Sequence, residues 1–270
     1  MTILTLAWID PIAFHFGPLA VRWYGLAYVA AFVISYWMLR VAIRRKTLPL
    51  SRERLDELLF WLVVGVIVGG RLGWWLFYRP TATAFDSWYE PFAIWHGGMS
   101  FHGGLAGVAI ATFIWTRYRQ VPVWNLLDHL ALAAPIGLML GRIANFINAE
   151  LIGRPSDLPW AIVFPGESLA RHPSQLYEAL LEGPVLLLSL LVVRKLLPAR
   201  NGLIAAAFLV FYGLFRFMVE FTRQPDPQVG FVGWGWLTMG QILSSVIAAI
   251  GLALVLKRAH RRHSDTLITL

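Results

Sequence analysis

Long apolar runs, broken by Pro, Gly and clusters of charge, recur from one end of the chain to the other. A helix needs about 20 mostly apolar residues to cross a bilayer. Seven segments reach about that length: Arg22–Ala42, Glu57–Tyr78, Gly98–Tyr118, Trp124–Ile143, Leu176–Leu196, Gly202–Phe221 and Trp236–Lys257. The pattern predicts an all-α integral membrane protein with about seven transmembrane helices. No soluble domain is left once these runs are set aside, so residues 1–270 read as a single polytopic membrane domain. Short loops at about 79–97 and 144–175 connect the helices on one side.

Composition agrees. The chain is 58% hydrophobic and 14% charged, with a mean hydropathy of +0.62, whereas a soluble domain carries roughly a quarter charged residues. Thirteen Trp fit the aromatic belts of membrane proteins. The opening "MTILTLAWIDPIAFHFGPLAVRW" has no basic n-region and no small-residue cleavage site, so it does not read as a removable signal peptide. Cysteine is absent, which removes disulfides, thiolate metal ligands and a cysteine nucleophile of the chain's own.

Basic residues set the expected orientation. Arg40, Arg44, Arg45, Lys46, Arg52 and Arg54 follow the first segment, Arg117 and Arg119 the third, and Arg194, Lys195 and Arg200 the fifth; Lys257, Arg258, Arg261 and Arg262 lie in the tail. The other side holds only Arg79, Arg154, Arg171 and Arg223. The N-terminus is therefore expected outside and the C-terminus in the cytoplasm. The net charge of +8 is then a topology signal and an attraction to anionic lipid, not a nucleic-acid footprint.

Four arginines, Arg22, Arg71, Arg142 and Arg216, lie in or at the edge of spanning segments. Each costs about 2.5–3.5 kcal/mol at a helix centre on insertion scales, so each needs a reason. Counting about 1.5 Å per residue puts Arg71 and Arg216 roughly 21 Å, and Arg142 about 27 Å, from the cytoplasmic starts of their segments. Tyr24, His102, Glu178, Glu182, Gln241, Glu220 and Arg223 fall at the same outer level. In "GRIANFINAELIGR", Arg142, Asn145 and Asn148 follow one another at i,i+3 and share a helix face. A guanidinium beside two amides offers donors to a phosphate or carboxylate. A polar helix–helix seam closed by Glu150 explains the same residues.

Plainer readings stand beside several of the others. Arg216 and Glu220, at i,i+4, make a structural ion pair as readily as a site. Arg71 can snorkel. Glu178 and Glu182 read as supports for basic neighbours rather than as reactive groups. Asp128 and His129 read as interfacial, and His15, His96, His260 and His263 as solvated surface. The small-residue spacings in "GVIVGG" and "FHGGLAG" suit helix packing better than phosphate binding. "GMSFHGG" places the His102 imidazole near Ser100 and two glycines at a helix start, which suits either a close-approaching ligand or a packing histidine. No metal-ligand spacing, nucleotide loop or Ser-His-Asp signature is present, and no cofactor or metal is expected.

Five motifs, in order over nearly the whole chain, closely resemble bacterial prolipoprotein diacylglyceryl transferases: "VRWYGLAY", "GMSFHGGLAG", "GRIANFINAELIGR", "RHPSQLYE" and "FRFMVEFTRQPD". The resemblance implies a seven-helix enzyme of the bacterial inner membrane with its site toward the periplasm, the N-terminus periplasmic. It implies transfer of the sn-1,2-diacylglyceryl group from phosphatidylglycerol to the lipobox cysteine of a prolipoprotein signal peptide, with release of glycerol 1-phosphate. It also implies that Arg142 and Arg223 hold the phosphatidylglycerol phosphate and that Tyr24, Asn145, Glu150 and Gly153 contact substrate. His102 is the candidate base for the thiol, and Asn145 and Glu150 are expected to orient Arg142. Ala144, Ala149 and Ile152 stand where the family pattern has Gly, Gly and Trp. A non-enzymatic lipid-binding or lipid-transport protein is the alternative that composition leaves open.

Overall fold

The computed structural model describes residues 9–17, 19–77, 92, 100–197, 201–225 and 230–267; Arg79, His96 and Arg200 lie outside them, as does nearly all of the loop expected at about 79–97. Helices dominate: α1 Trp23–Arg44, α2 Arg52–Phe77, α3 Phe101–Tyr118, α4 Val123–Ile147, α5 Ser174–Leu180, α6 Leu186–Leu196, α7 Leu203–Glu220 and α8 Met239–Leu267. A π-helical turn, Leu181–Val185, joins α5 to α6. Six spans in the described residues are long and apolar enough to cross a membrane, with α5, the π turn and α6 counted as one; α3 adds a further long apolar helix. Large apolar side chains such as Val33, Trp37, Ile114, Leu188, Leu196 and Leu256 lie exposed along these helices. That suits a hydrocarbon surround, where backbone polar groups must be satisfied within helices.

Two short antiparallel pairs depart from a purely helical expectation. Strands β1 Ile12–Phe16 and β2 Leu19–Arg22 pair ahead of α1, and β3 Phe231–Gly233 and β4 Leu237–Thr238 pair ahead of α8. Arg22 and Trp236 therefore lie before their helices rather than inside them. The Leu176–Leu196 run is likewise interrupted. Pro184 cannot donate an amide hydrogen and Gly183 leaves helical dihedrals, so the chain takes a π turn there.

The chain forms two compact units. In the unit spanning residues 39–126, α2 and α3 lie backbone to backbone. A Cβ at Gly69 would meet the Gly103 carbonyl and one at Gly107 that of Gly65, so the small-residue spacing packs helices as expected. Ser100 caps α3, accepting the Gly103 amide at 3.1 Å. Arg71 does not snorkel: it is 3% exposed, with its guanidinium 4.7 Å from the Trp74 ring centroid.

The other unit, residues 1–38 and 127–270, has a core of Ala131, Leu132, Leu186, Leu190, Ile204 and Ala207, contributed by α4, α6 and α7. Helices α7 and α8 approach closely at Gly213 and Gly251. Asp128, expected at the interface, is instead buried, and its carboxylate accepts the amides of Gly202 (2.6 Å) and Ala205 (2.8 Å). Helix α7 begins at Leu203 after an αL glycine that has no capping side chain, so a carboxylate from α4 supplies the cap.

Candidate active site

The site is built where α4, α5, the π turn and α7 bring charge together. Arg142 on α4 places Nη1 2.8 Å from Glu178 Oε2 and Nε 3.1 Å from Glu182 Oε2. Arg216 on α7 bonds Glu220 one turn on, and stands 3.8 and 3.9 Å from Glu178 and Glu182. Arg223 completes the set, with Nη1 3.0 Å from Glu178 Oε1 and Nε 3.4 Å from Glu220 Oε2. Three guanidiniums and three carboxylates therefore balance formally. Glu178 and Glu182 are wholly buried, a position a carboxylate holds only when paired.

The balance leaves donors over. Arg142 and Arg216 meet these carboxylates through Nε and Nη1, and Nη2 of each has no acceptor among the described residues. Their side chains are 16% and 15% exposed against 8% for Arg223. The plainer reading of Glu178 and Glu182 as supports for basic neighbours agrees with this arrangement, and Arg216 is at once an ion-pair partner of Glu220 and a member of the cluster.

Beyond α4 the chain turns back on itself. Asn145 Nδ2 and Asn148 Nδ2 both donate to the Glu150 carboxylate, at 3.2 and 3.1 Å. Arg142 takes its orientation from Glu178 and Glu182, while Asn145 and Glu150 bond each other. Gln175 and Ser174, both buried, donate to the carbonyls of Glu150 and Leu151 and fix the turn on the start of α5.

A small sheet-like layer holds Arg223 in place. Gly153 N donates to His172 O (3.1 Å), Arg154 N to Thr222 O (2.9 Å) and Gln224 N to Ile152 O (3.3 Å), so residues 152–154 lie between residues near 172 and 222–224. Gly153 is buried, and a Cβ there would run into the His172 carbonyl and Thr222 O, which accounts for the glycine by packing. Arg154 Nε donates to Arg223 O at 2.7 Å, and its Nη2 reaches Glu220 O at 3.4 Å, satisfying carbonyls at the end of α7. The neighbouring Arg154 and partial burial both hold the His172 imidazole below its ordinary value, burial being the larger cause.

Helix α8 starts with Thr238 and Gln241 exchanging backbone-amide bonds, a capping box. The Thr238 hydroxyl then donates 2.9 Å to Glu220 Oε1, and Gly240 leaves room for that carboxylate. Thr238 has no signal in composition; the T-x-x-Q spacing "TMGQ" was the clue available. Tyr24 lies on the first turn of α1 and meets Tyr28 hydroxyl to hydroxyl at 3.3 Å. Tyr28 and Tyr212, four positions from Tyr24 and Arg216, are within electrostatic reach of Arg142. His102 lies in the first turn of α3, in the other unit, and its side chain falls outside the described residues.

A family profile described as prolipoprotein diacylglyceryl transferase matches residues 11–257. Relatives carrying the name phosphatidylglycerol–prolipoprotein diacylglyceryl transferase are similar over nearly their full length. The protein from Allorhizobium ampelinum is 48% identical over 93% of this chain and 90% of its own. That from Agrobacterium fabrum is 46% identical over 95% of each. That from Methylococcus capsulatus is 47% identical over 96% of this chain and 99% of its own.

Proposed function

The chain belongs to the prolipoprotein diacylglyceryl transferase family, and from that premise we propose how its residues carry the reaction. It transfers the diacylglyceryl group of phosphatidylglycerol to the lipobox cysteine thiol of a prolipoprotein, releasing glycerol 1-phosphate. The lipid-carrier alternative is disfavoured by relatives that bear an enzyme's name over nearly their whole length.

The observation that carries the assignment of residues is the pair of Nη2 groups on Arg142 and Arg216 that have no acceptor among the described residues, next to a cluster whose other charges are matched. A phosphodiester brings one negative charge and becomes a monoester with more. Donors held in place before that charge develops stabilise the transition state most, because they need not reorganise. Arg142 grips the phosphate, Arg216 shares it, and Arg223 supplies the third positive charge from behind. The cysteine thiolate attacks the glyceryl carbon, the carbon–oxygen bond breaks, and the phosphate leaves with its bridging oxygen. His102 takes the thiol proton. Tyr24, Asn145, Glu150 and Gly153 line or shape the headgroup site.

The same reading places one membrane domain in the bacterial inner membrane, N-terminus in the periplasm and C-terminus in the cytoplasm. The loops at about 79–97 and 144–175 and the arginine cluster then lie on the periplasmic side, the level of a lipid headgroup. The basic residues after the first segment support that orientation.

Purified protein with phosphatidylglycerol and a lipobox peptide tests the reaction. With heavy oxygen in the bridge between the diacylglyceryl carbon and phosphorus, label is expected in glycerol phosphate and not in the lipidated peptide. Heavy oxygen in free diacylglycerol would instead mean phosphorus–oxygen cleavage and defeat the mechanism.

A further inference from the structure

The turn between β3 and β4 breaks a rule of turn chemistry. Residues 234 and 235 both have positive φ, +46° and +68°, the pattern of a tight turn that normally carries Asn-Gly or Gly-Gly. Here the first is Trp234, a bulky side chain in a left-handed conformation that strains it. It is also 82% exposed. An aqueous turn has no reason to bear both penalties.

The surroundings supply one. Trp234 stacks on Trp236 with centroids 6.3 Å apart, Trp236 stacks on Phe221 at 6.0 Å, and Phe221 meets Phe217 edge-on at 5.6 Å. This ladder climbs from the end of α7 onto the hairpin without a gap. Leu214 and Met218 on α7, Phe221 just after its end, and Met239 and Leu243 on α8 are exposed apolar residues of, or next to, the two membrane-spanning helices that the hairpin connects. The face that meets lipid along α7 and α8 therefore continues onto Phe231, Val232, Trp234 and Trp236, all exposed. No charged residue occurs between Asp226 and Lys257. Indole joins an apolar body to a single N–H donor, which suits the boundary between hydrocarbon and headgroups.

We propose that the Phe231–Thr238 hairpin is an interfacial anchor whose Trp234 tip sits in the headgroup layer of the bilayer, at the end of α7 that bears the arginine cluster. Its base ends in Thr238, which donates to Glu220. The anchor thus fixes the depth of the Glu220, Arg216 and Arg223 group relative to lipid phosphates. That last consequence rests on the proposed phosphate role; the anchoring itself does not.

The cysteine-free chain allows a test that does not read activity. Trp234→Cys and, separately, Val232→Cys are labelled with nitrobenzoxadiazole and reconstituted in phosphatidylcholine vesicles, with Leu188→Cys on α6 as the hydrocarbon reference. Quenching is compared for lipids with a nitroxide at the headgroup, lipids with a nitroxide deep in the chain, and iodide on both sides. Both hairpin labels are expected to be quenched several-fold more by the headgroup nitroxide than by iodide, and more by it than by the deep nitroxide. Dominant iodide quenching would overturn the proposal by placing the hairpin in water. Protection from all three quenchers would overturn it too, because protein and not lipid would then cover the tip.

Discussion

Arg142 Nη1 on α4 and Glu178 Oε2 on α5 stand 2.8 Å apart, and the second oxygen of that carboxylate takes Arg223 Nη1 at 3.0 Å. One buried glutamate thereby sets two of the three arginines. Glu178→Gln keeps the shape but leaves an excess positive charge in a buried cluster. Breaking a buried pair in this way costs about 3–5 kcal/mol. The variant is expected to melt at lower temperature in detergent, and an unchanged melting temperature would show that the pair is solvent-screened.

Arg142→Lys keeps the charge but gives up the planar fork that bonds Glu178 and Glu182 while presenting Nη2. Loss of a transition-state donor typically lowers kcat about 10²-fold or more. The expected result is that loss at normal abundance, measured with purified protein. Near-parental turnover would make Arg142 a purely structural residue.

Asp128→Ala removes the acceptor shared by the Gly202 and Ala205 amides. Loss of a capping acceptor costs about 0.5–2 kcal/mol, and two stranded amides put this case toward the upper end. Stability should fall while kcat of the folded fraction stays parental, since Asp128 lies at the other end of α4 from Arg142.

Ala149 sits at φ +55°, where the family pattern has glycine. A left-handed conformation costs a residue with a Cβ about 1–2 kcal/mol, part of which glycine returns as unfolded-state entropy. Ala149→Gly is expected to be neutral to stabilising by up to about 1 kcal/mol. A clear drop in melting temperature would mean that the Ala149 methyl group packs usefully.

His172 is held below its ordinary value by burial and by Arg154. The unfolded chain then takes up a proton more readily than the folded one as pH drops below about 6.5. The stability this neutral imidazole contributes is present above that pH and is lost on acidification toward the lower folded value. Melting temperature should fall between roughly neutral pH and pH 5, and His172→Gln should flatten that part of the profile. A parental slope in the variant would assign the acid sensitivity elsewhere.

Orientation has its own check. Asp157→Cys should react with an impermeant thiol reagent added to intact cells and Thr47→Cys should not. The reverse pattern would place the arginine cluster on the cytoplasmic side.

The sequence by itself determined the spans and the membrane class, because about 20 apolar residues in a row leave the backbone little choice but a helix crossing lipid. It also gave the close packing of "GVIVGG" on "FHGGLAG" and the i,i+4 bond from Arg216 to Glu220, since both follow from helical period. Periodicity has no reach across elements. That Asn145 turns to Glu150 while Arg142 turns to Glu178 and Glu182 depends on how the π turn and α4 meet, 40 residues apart in the chain for the Arg142–Glu182 bond. Asp128 reads as an interfacial carboxylate until α7 brings two free amides to it. Trp236 reads as the start of a helix until the β3–β4 pairing puts it in the hairpin ahead of α8. A buried charge is tolerable only beside its partner, and the partner is chosen by tertiary packing.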